Sequence, residues 1–515
     1  MTVPDFRNEP FTDFSQPENA EAMRRALEQV RAELGKTYPL VIGGEHITTE
    51  QTIASHNPAK PDEIVGKTAS ATVEMANRAI ATATESFKTW RQVAPEERAQ
   101  YIFKAAAELR RRKFEMAAWL VYEVSKSWAE ADGDVAEAID FCEFYAREML
   151  RLAGPQPVHQ MPGEHDELHY IPLGAGVSIP PWNFACAIMI GITVAPIVAG
   201  NTVVLKPAST APIMAAKFVE ILEQIGLPPG VVNYLPGPGS SVGDTLVDHP
   251  QTRFIAFTGS KEVGLRIFER AARHQPGQRW LKRTVLEMGG KDTIVVDETA
   301  DLEAAADGVV SSAFGFQGQK CSACSRVVAV EQVYDDLLAK VVERAQKITV
   351  SDPSKPDTFM GAVIDEKAFD KIRSYIDIGK KEGELVLGGE THGDGYFVSP
   401  TIFSNIAPEA QLSQEEIFGP VLAFIKAENY DNALDIANNT EYGLTGGVFT
   451  RDTERMNQAR DEFHVGNLYF NRKITGAMVG AHPFGGFNMS GTDSKAGGRD
   501  YLLLFMQGKS IAEKV

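Results

Sequence analysis

Cysteine is scarce: only Cys142, Cys186, Cys321 and Cys324 occur in 515 residues. So few thiols cannot staple a chain of this length, which excludes a disulfide scaffold and fits a reducing compartment. Basic side chains are also in deficit, 51 Lys and Arg against 69 Asp and Glu, for a net charge of -18. Phosphate neutralisation needs a basic surface, so nucleic acid is not an expected partner. Residues 1–16 lack a basic stretch followed by an apolar run, so a cytoplasmic protein is expected rather than a secreted one. Residues 175–200 carry no charge, yet Pro180, Pro181, Asn183 and Pro196 interrupt them. They read as a buried strand, a turn and a buried helix, so no membrane span is expected. Internal repeats and low-complexity tracts are missing as well.

What the chain does have is strand and helix in alternation. Strand-like runs at 176–179, 202–205, 231–235 and 253–257 are each followed by a helical pattern, which predicts a parallel, doubly wound sheet. After Gly289-Gly290 the alternation resumes at 293–296, 327–330, 421–425 and 446–449, so a second α/β domain is expected. Long amphipathic helices are predicted from 73 to 152, and residues 501–506 read as a terminal apolar strand, tied into a sheet or against a partner subunit.

One loop stands out for chemistry. Gly315-Phe316-Gln317-Gly318-Gln319-Lys320-Cys321-Ser322-Ala323-Cys324 places a thiol in a glycine-spaced loop between a helix-like and a strand-like run. A loop held by two rigid elements can present a thiolate to a carbonyl carbon. A buried cysteine packing as a small hydrophobe is the competing reading of Cys321 alone. Glu287 ends a strand-like run beside Gly289 and Gly290, where shielding would raise its pKa and suit a general base; a surface glutamate is the alternative. Asn183, after Pro180-Pro181-Trp182, offers an amide for an oxyanion, or serves as turn chemistry.

The run 253–257, then Thr258-Gly259-Ser260, then a helix over 262–272 supplies the strand, turn and helix N-terminus that a pyrophosphate needs, although it is not G-x-G-x-x-G. The near match Gly237-x-Gly239 with Gly243 has one residue too many and is flanked by Pro236 and Pro238. Lys206, at a strand end before Pro207, is placed for a ligand at the sheet's carboxyl edge or for solvent. No metal site is expected. Cys321-x-x-Cys324 has no second pair to complete it, and His165-Asp166-Glu167-Leu168-His169 displaces the glutamate of H-E-x-x-H by one.

Together, Pro181-Trp182-Asn183, Lys206-Pro207-Ala208, Phe257-Thr258-Gly259-Ser260, Leu286-Glu287-Met288-Gly289-Gly290, Gly318-Gln319-Lys320-Cys321, Glu415-Glu416-Ile417-Phe418-Gly419-Pro420 and Pro483-Phe484-Gly485-Gly486 resemble the aldehyde dehydrogenase superfamily, in order and nearly end to end. The resemblance implies an α/β fold with a Rossmann-like nucleotide-binding domain (1–154 and 173–288), an α/β catalytic domain (289–488) and a small β oligomerisation element (155–172 and 489–515). It implies that Cys321 attacks the aldehyde, Asn183 and the Cys321 N–H hold the alkoxide, hydride passes to the nicotinamide, and Glu287 activates water to release the acid. It further assigns Lys206 to adenosine ribose, Gly259 and Ser260 to the pyrophosphate turn, and Glu416 to nicotinamide ribose with Phe418 packed nearby. Ser209 stands where strongly NAD-preferring relatives often have glutamate, so NAD is expected with some NADP activity.

Finer motifs, Lys320 to Arg326, Thr475-Gly476-Ala477 and the glycine-rich stretch 491–498, with a long N-terminal extension, resemble the subgroup that oxidises L-glutamate γ-semialdehyde to glutamate in proline catabolism. By that similarity Ser322 and the amides of Gly476 and Ala477 anchor the substrate carboxylate, and Phe184 and Phe484 sandwich its stem. Glu137 faces the substrate ammonium or is a solvated helical residue. The expected partners are a small aldehyde, a nicotinamide nucleotide and a second copy, as a homodimer or an assembly of dimers. The chain has no room for the extra barrel of bifunctional relatives, so a monofunctional enzyme is expected. Another semialdehyde dehydrogenase, for instance for succinate semialdehyde, and a catalytically silent relative are the alternatives.

Overall fold

The computed structural model describes residues 3–515; Met1 and Thr2, at the start of the first predicted segment, lie outside them. The first predicted sheet has seven strands in the spatial order Arg283–Glu287, Phe254–Thr258, Ala175–Ile179, Thr202–Leu205, Val232–Tyr234, Leu40–Ile42 and Glu45–Ile47. The first five are parallel, and the last two form an antiparallel hairpin on the edge. In chain order the parallel part starts at its middle with Ala175–Ile179, grows one way through Thr202–Leu205 and Val232–Tyr234, and then the other through Phe254–Thr258 and Arg283–Glu287. The reversal falls between Ala175–Ile179 and Phe254–Thr258, and ligands of open parallel sheets bind outside the carboxyl ends at such a switch point. Asn183, Lys206, Ser260 and Glu287 all belong to segments leaving that edge or lie at its end.

Burial on both faces explains the strand composition: Thr202–Leu205 and Phe254–Thr258 are buried throughout, so they are continuous apolar runs rather than alternating ones. Ala187–Val198, the helix predicted within the uncharged stretch, is apolar all round and almost wholly buried. Four helices, Val73–Trp90, Pro95–Arg111, Lys113–Val124 and Trp128–Leu152, occupy the region predicted to be helical.

The second sheet runs Glu384–Leu387, Thr401–Ser404, Val421–Ala427, Cys324–Val330, Asp292–Val296, Thr445–Phe449 and Asn467–Phe470, parallel except for its first strand. Only four residues separate Asp292–Val296 from the end of the first sheet's last strand at Glu287, so Gly289-Gly290 joins the two sheets. A three-stranded sheet pairs Met506–Lys514 antiparallel with Glu164–Pro172, which also takes Pro155–Gln156.

The terminal strand begins later than its apolar run suggested. Tyr501–Phe505 is a 3₁₀ turn, and pairing starts at Met506. A strand would send alternate side chains to opposite faces. The tight turn instead buries Tyr501, Leu502 and Phe505 together, with Tyr501 stacked on Tyr145 at 5.2 Å and Phe505 edge-on to Phe254 at 5.2 Å.

Candidate active site

Two cavities, of about 530 and 620 Å³, meet at the Cys321 loop, and Cys321 lines both. Helix Leu302–Phe314, capped by Asp301 accepting from the N–H groups of Glu303 and Ala304, delivers the chain into this loop, and strand Cys324–Val330 takes it away. Between them Phe316 and Gln317 adopt left-handed backbone, φ 49° and 57°, uncommon for residues with side chains. Such a conformation persists only when its surroundings over-determine it. The Gln317 amide supplies part of that: Nε2 donates to the carbonyls of Ser125 (3.1 Å) and Ala362 (2.8 Å), and Oε1 accepts from Gly361 N–H at 3.0 Å. Gln319 Oε1 accepts from Ile364 N–H at 2.9 Å, and Lys320 pairs with Glu130 at 2.6 Å. Local propensity gave no sign of this clamp.

Of the four cysteines, Cys321 alone is partly exposed. Burial, and then the neighbouring carboxylates of Asp292, Glu287, Glu416 and Glu137, push its thiol up from the ordinary cysteine range. Cys324 is buried in its strand with Sγ 3.3 Å from the Arg326 carbonyl, and no cluster of metal-ligating side chains occurs among the described residues. His165 and His169 instead pair with Glu167 on the strand Glu164–Pro172.

Asn183 is buried, and its Nδ2 donates to the Gln319 carbonyl at 2.9 Å, two residues before the thiol. A primary amide has two N–H donors, so one fixes the side chain and the other is free for an oxyanion. Glu287 ends its strand inside the first cavity, and burial raises its carboxyl to about 7. Three donors oppose that rise: Ser494 Oγ at 2.6 Å, Ser494 N–H at 3.3 Å and Gly486 N–H at 3.4 Å. Ser494 and Gly486 lie in glycine-rich stretches singled out from the sequence, but their contact with Glu287 was not foreseen.

The second cavity is lined by Lys206, Gly259, Ser260, Glu416 and Phe418. Lys206 Nζ is buried with only the Pro207 carbonyl in reach, at 3.3 Å, and desolvation lowers its pKa to about 8. Ser260 caps helix Lys261–Ala272, its Oγ accepting from Val263 N–H at 3.4 Å, so the helix N-terminus opens on the cavity. A Cβ at Gly259 would come 2.5 Å from the Phe257 ring, which explains the glycine in this turn. Glu416 Oε1 accepts from Gly290 N–H at 3.1 Å, and a side chain at Gly289 would overlap that carboxylate. Phe418, at φ 61°, sits edge-on to Trp182 at 5.6 Å.

Ser209 is exposed and lies just past Ala208, the last residue of its turn on the wall. The set-aside glycine near match does reach the site. Gly239 to Gly243 forms a wide, π-helical turn on the wall, with Gly243 against the Lys206 stem.

Phe184, Ser322, Gly476, Ala477 and Phe484 all line the first cavity. Glu137 also faces it rather than solvent, and burial, with Asp134 nearby, raises its carboxyl to about 8. Behind Phe184 lies a pair that the sequence did not announce. Lys126, wholly buried, contacts Asp134 at 2.9 Å and stands 4.1 Å from the Phe184 ring centre and 4.7 Å from that of Phe316. A desolvated cation over two ring faces holds both aromatics.

The arrangement can carry a carbonyl compound from one side and a dinucleotide from the other to a single thiol. Among known proteins, a model of the aldehyde dehydrogenase family matches residues 46–511. The chain is 60% identical over 514 residues to "1-pyrroline-5-carboxylate dehydrogenase" of Geobacillus kaustophilus (strain HTA426), covering 99% of each. It is 59% identical over 516 residues to "1-pyrroline-5-carboxylate dehydrogenase 2" of Bacillus subtilis (strain 168), covering 100% of each. A solved 1-pyrroline-5-carboxylate dehydrogenase from Thermus with bound NAD superposes with a TM-score of 0.99 at 53% identity over 100% of both chains.

Proposed function

The chain belongs to the aldehyde dehydrogenase family, and from that premise we propose that it oxidises L-glutamate γ-semialdehyde, the open form of 1-pyrroline-5-carboxylate, to L-glutamate with NAD. The observation that carries this reading is Cys321 at the junction of the two cavities. The aldehyde side is shaped for an amino acid, with aromatic walls at Phe184 and Phe484 and a polar end at Ser322, Gly476 and Ala477. Full-length likeness to relatives named for this activity supports the substrate.

The residues present fit the nucleotide. Lys206 is a buried cation with no acidic partner, suited to ribose hydroxyls. The capped N-terminus at Ser260 suits a pyrophosphate, and Glu416 suits the second ribose. When bound, the nicotinamide supplies the acceptor for the two electrons that leave the substrate carbon.

Cys321 Sγ gives up its proton to water in the open cavity and bonds to the aldehyde carbon. The developing oxyanion takes the free N–H of Asn183 and the backbone N–H of Cys321. After oxidation the carbon is held as a thioester on Cys321. Glu287 then removes a proton from water as that water attacks, and the acid leaves with the thiol restored. Glu137 offers its carboxyl to the substrate ammonium from inside the cavity.

The proposed partition into 1–154 with 173–288, 289–488, and 155–172 with 489–515 is supported by the two seven-stranded sheets and the sheet of Met506–Lys514, although residues 490–494 also bond back to Leu286–Met288. A homodimer or assembly of dimers is supported by the long strand Met506–Lys514, whose side chains after Met506 are exposed. A cytoplasmic location rests on the cysteine content; among the described residues no helix is long and apolar enough to cross a membrane.

The test is a panel of semialdehydes assayed with NAD and with NADP. Glutamate γ-semialdehyde should lead in kcat/KM with NAD, and a clear preference for succinate semialdehyde would refute the substrate.

A further inference from the structure

Residues 3–13 form neither helix nor strand, yet they lie in a defined path along helix Trp128–Leu152. Two buried aspartates of that helix hold them. Asp140 accepts from Glu9 N–H at 2.6 Å and Asn8 Nδ2 at 2.7 Å; Asp132 accepts from Thr12 N–H at 2.8 Å and its hydroxyl at 2.5 Å. Lys113 Nζ ties the same point, donating to the Pro10 carbonyl at 2.9 Å and pairing with Asp132 at 3.0 Å. The spacing is matched. Eight helical residues advance about 12 Å, and residues 8–12, extended, cover about 13 Å. The arm therefore runs antiparallel to the helix with an anchor at each end.

Between those anchors the same helix presents Gly133 and Glu137 to the aldehyde-side cavity, with Phe141 just beyond Asp140, and Phe11 and Thr12 of the arm line that cavity too. Aromatics flanking this stretch are seated, Phe6 edge-on to Phe144 at 5.1 Å and Phe14 edge-on to Trp128 at 5.4 Å. Phe11 is not seated in the core: it is 63% exposed. Gly133 lies against it: a Cβ there would be in ordinary van der Waals contact with the Phe11 ring, at 3.9 Å. Glycine inside a helix costs about 0.5–1 kcal/mol relative to alanine, and here it lets the exposed Phe11 ring lie close to the helix at the cavity mouth.

We infer that the anchored arm is the outer wall of the aldehyde cavity and that Phe11 limits the length and bulk of the aldehyde admitted to Cys321. The specificity part rests on the aldehyde oxidation proposed above; the wall itself does not. Phe11 acts on access and touches none of the reacting atoms.

The experiment compares the full-length protein with F11A, F11W and the anchor variant D132N/D140N. The first reading is the rate at which Cys321 reacts with a bulky pyrene maleimide relative to iodoacetamide, with the nucleotide cavity saturated by NAD. F11A and D132N/D140N should raise that ratio several-fold, and F11W should lower it, a reversal that general loosening would not produce. The second is kcat/KM across a homologous series of straight-chain aldehydes, where F11A should favour longer members and F11W shorter ones, with KM for NAD unchanged. Unchanged reagent ratios in F11A and F11W would overturn the wall. A responsive ratio with no aldehyde oxidised by the unaltered protein would keep the wall and sink the proposed activity.

Discussion

Ser494 Oγ donates a 2.6 Å hydrogen bond to Oε1 of Glu287, across 207 residues of chain, and both side chains are buried. The serine favours the ionised carboxylate, which burial opposes. The base is thus poised near neutrality by two effects of opposite sign, and each can be altered separately.

Removing the hydroxyl leaves the desolvation in place. S494A should move the acid limb of the pH–rate profile upward by about one pH unit, since about 1.36 kcal/mol of lost stabilisation corresponds to one unit. In the unaltered protein Glu287 is protonated below about 7, so thioester hydrolysis should slow as pH falls through that value. An acid limb that stays in place in S494A would show that the hydrogen bond does not set the base.

Cys321 and Glu287 act in different steps, so their variants should differ in kind. C321S should give no NADH while NAD still binds by titration. E287Q should release a single burst of NADH and then turn over about 10²–10⁴-fold more slowly, the usual worth of a positioned proton acceptor. Steady turnover in C321S would remove the thiol from the mechanism.

Lys206 is buried as a cation without an acidic partner, and its pKa is lowered to about 8. A folded pKa below the unfolded one means the folded state binds fewer protons between about 8 and the ordinary lysine range. Stability therefore rises with pH through that window, and the charge is a burden at lower pH. K206M should raise the Tm of the nucleotide-free protein at pH 7 while weakening NAD binding, as read by calorimetry. In the unaltered protein, KM for NAD should rise as pH passes 8. A lower Tm in K206M would contradict the uncompensated burial.

Ser209 sits just outside the nucleotide cavity with no carboxylate to repel a 2′-phosphate. NADP should therefore support measurable turnover. S209E should suppress NADP turnover while sparing or improving that with NAD, because a carboxylate there can accept from the ribose 2′-OH. Equal losses with both nucleotides would remove Ser209 from cofactor choice.

The parallel strands were legible because full burial leaves continuous apolar runs in the sequence, as in Thr202–Leu205 and Asp292–Val296. Tyr501–Phe505 misled for the same reason: an apolar run signals burial without saying whether a strand or a tight turn achieves it. The role of Gln317 was hidden for another reason. Its left-handed backbone is held by Ser125, Gly361 and Ala362, far along the chain in both directions, and no period or spacing encodes that clamp.

Sequence by itself determined the alternation of elements, the order of the motifs, and the residue types able to attack, accept a proton and bind a nucleotide, because each is a local property of a few adjacent residues. Tertiary structure alone decided that Cys321 stands between two cavities, that Glu287 is tuned by Ser494, that Lys126 and Asp134 back Phe184, and that the N-terminal arm closes the aldehyde side. Those relations join groups separated in the chain and depend on burial, which shifts proton affinities and strengthens each charged contact only once water has been excluded.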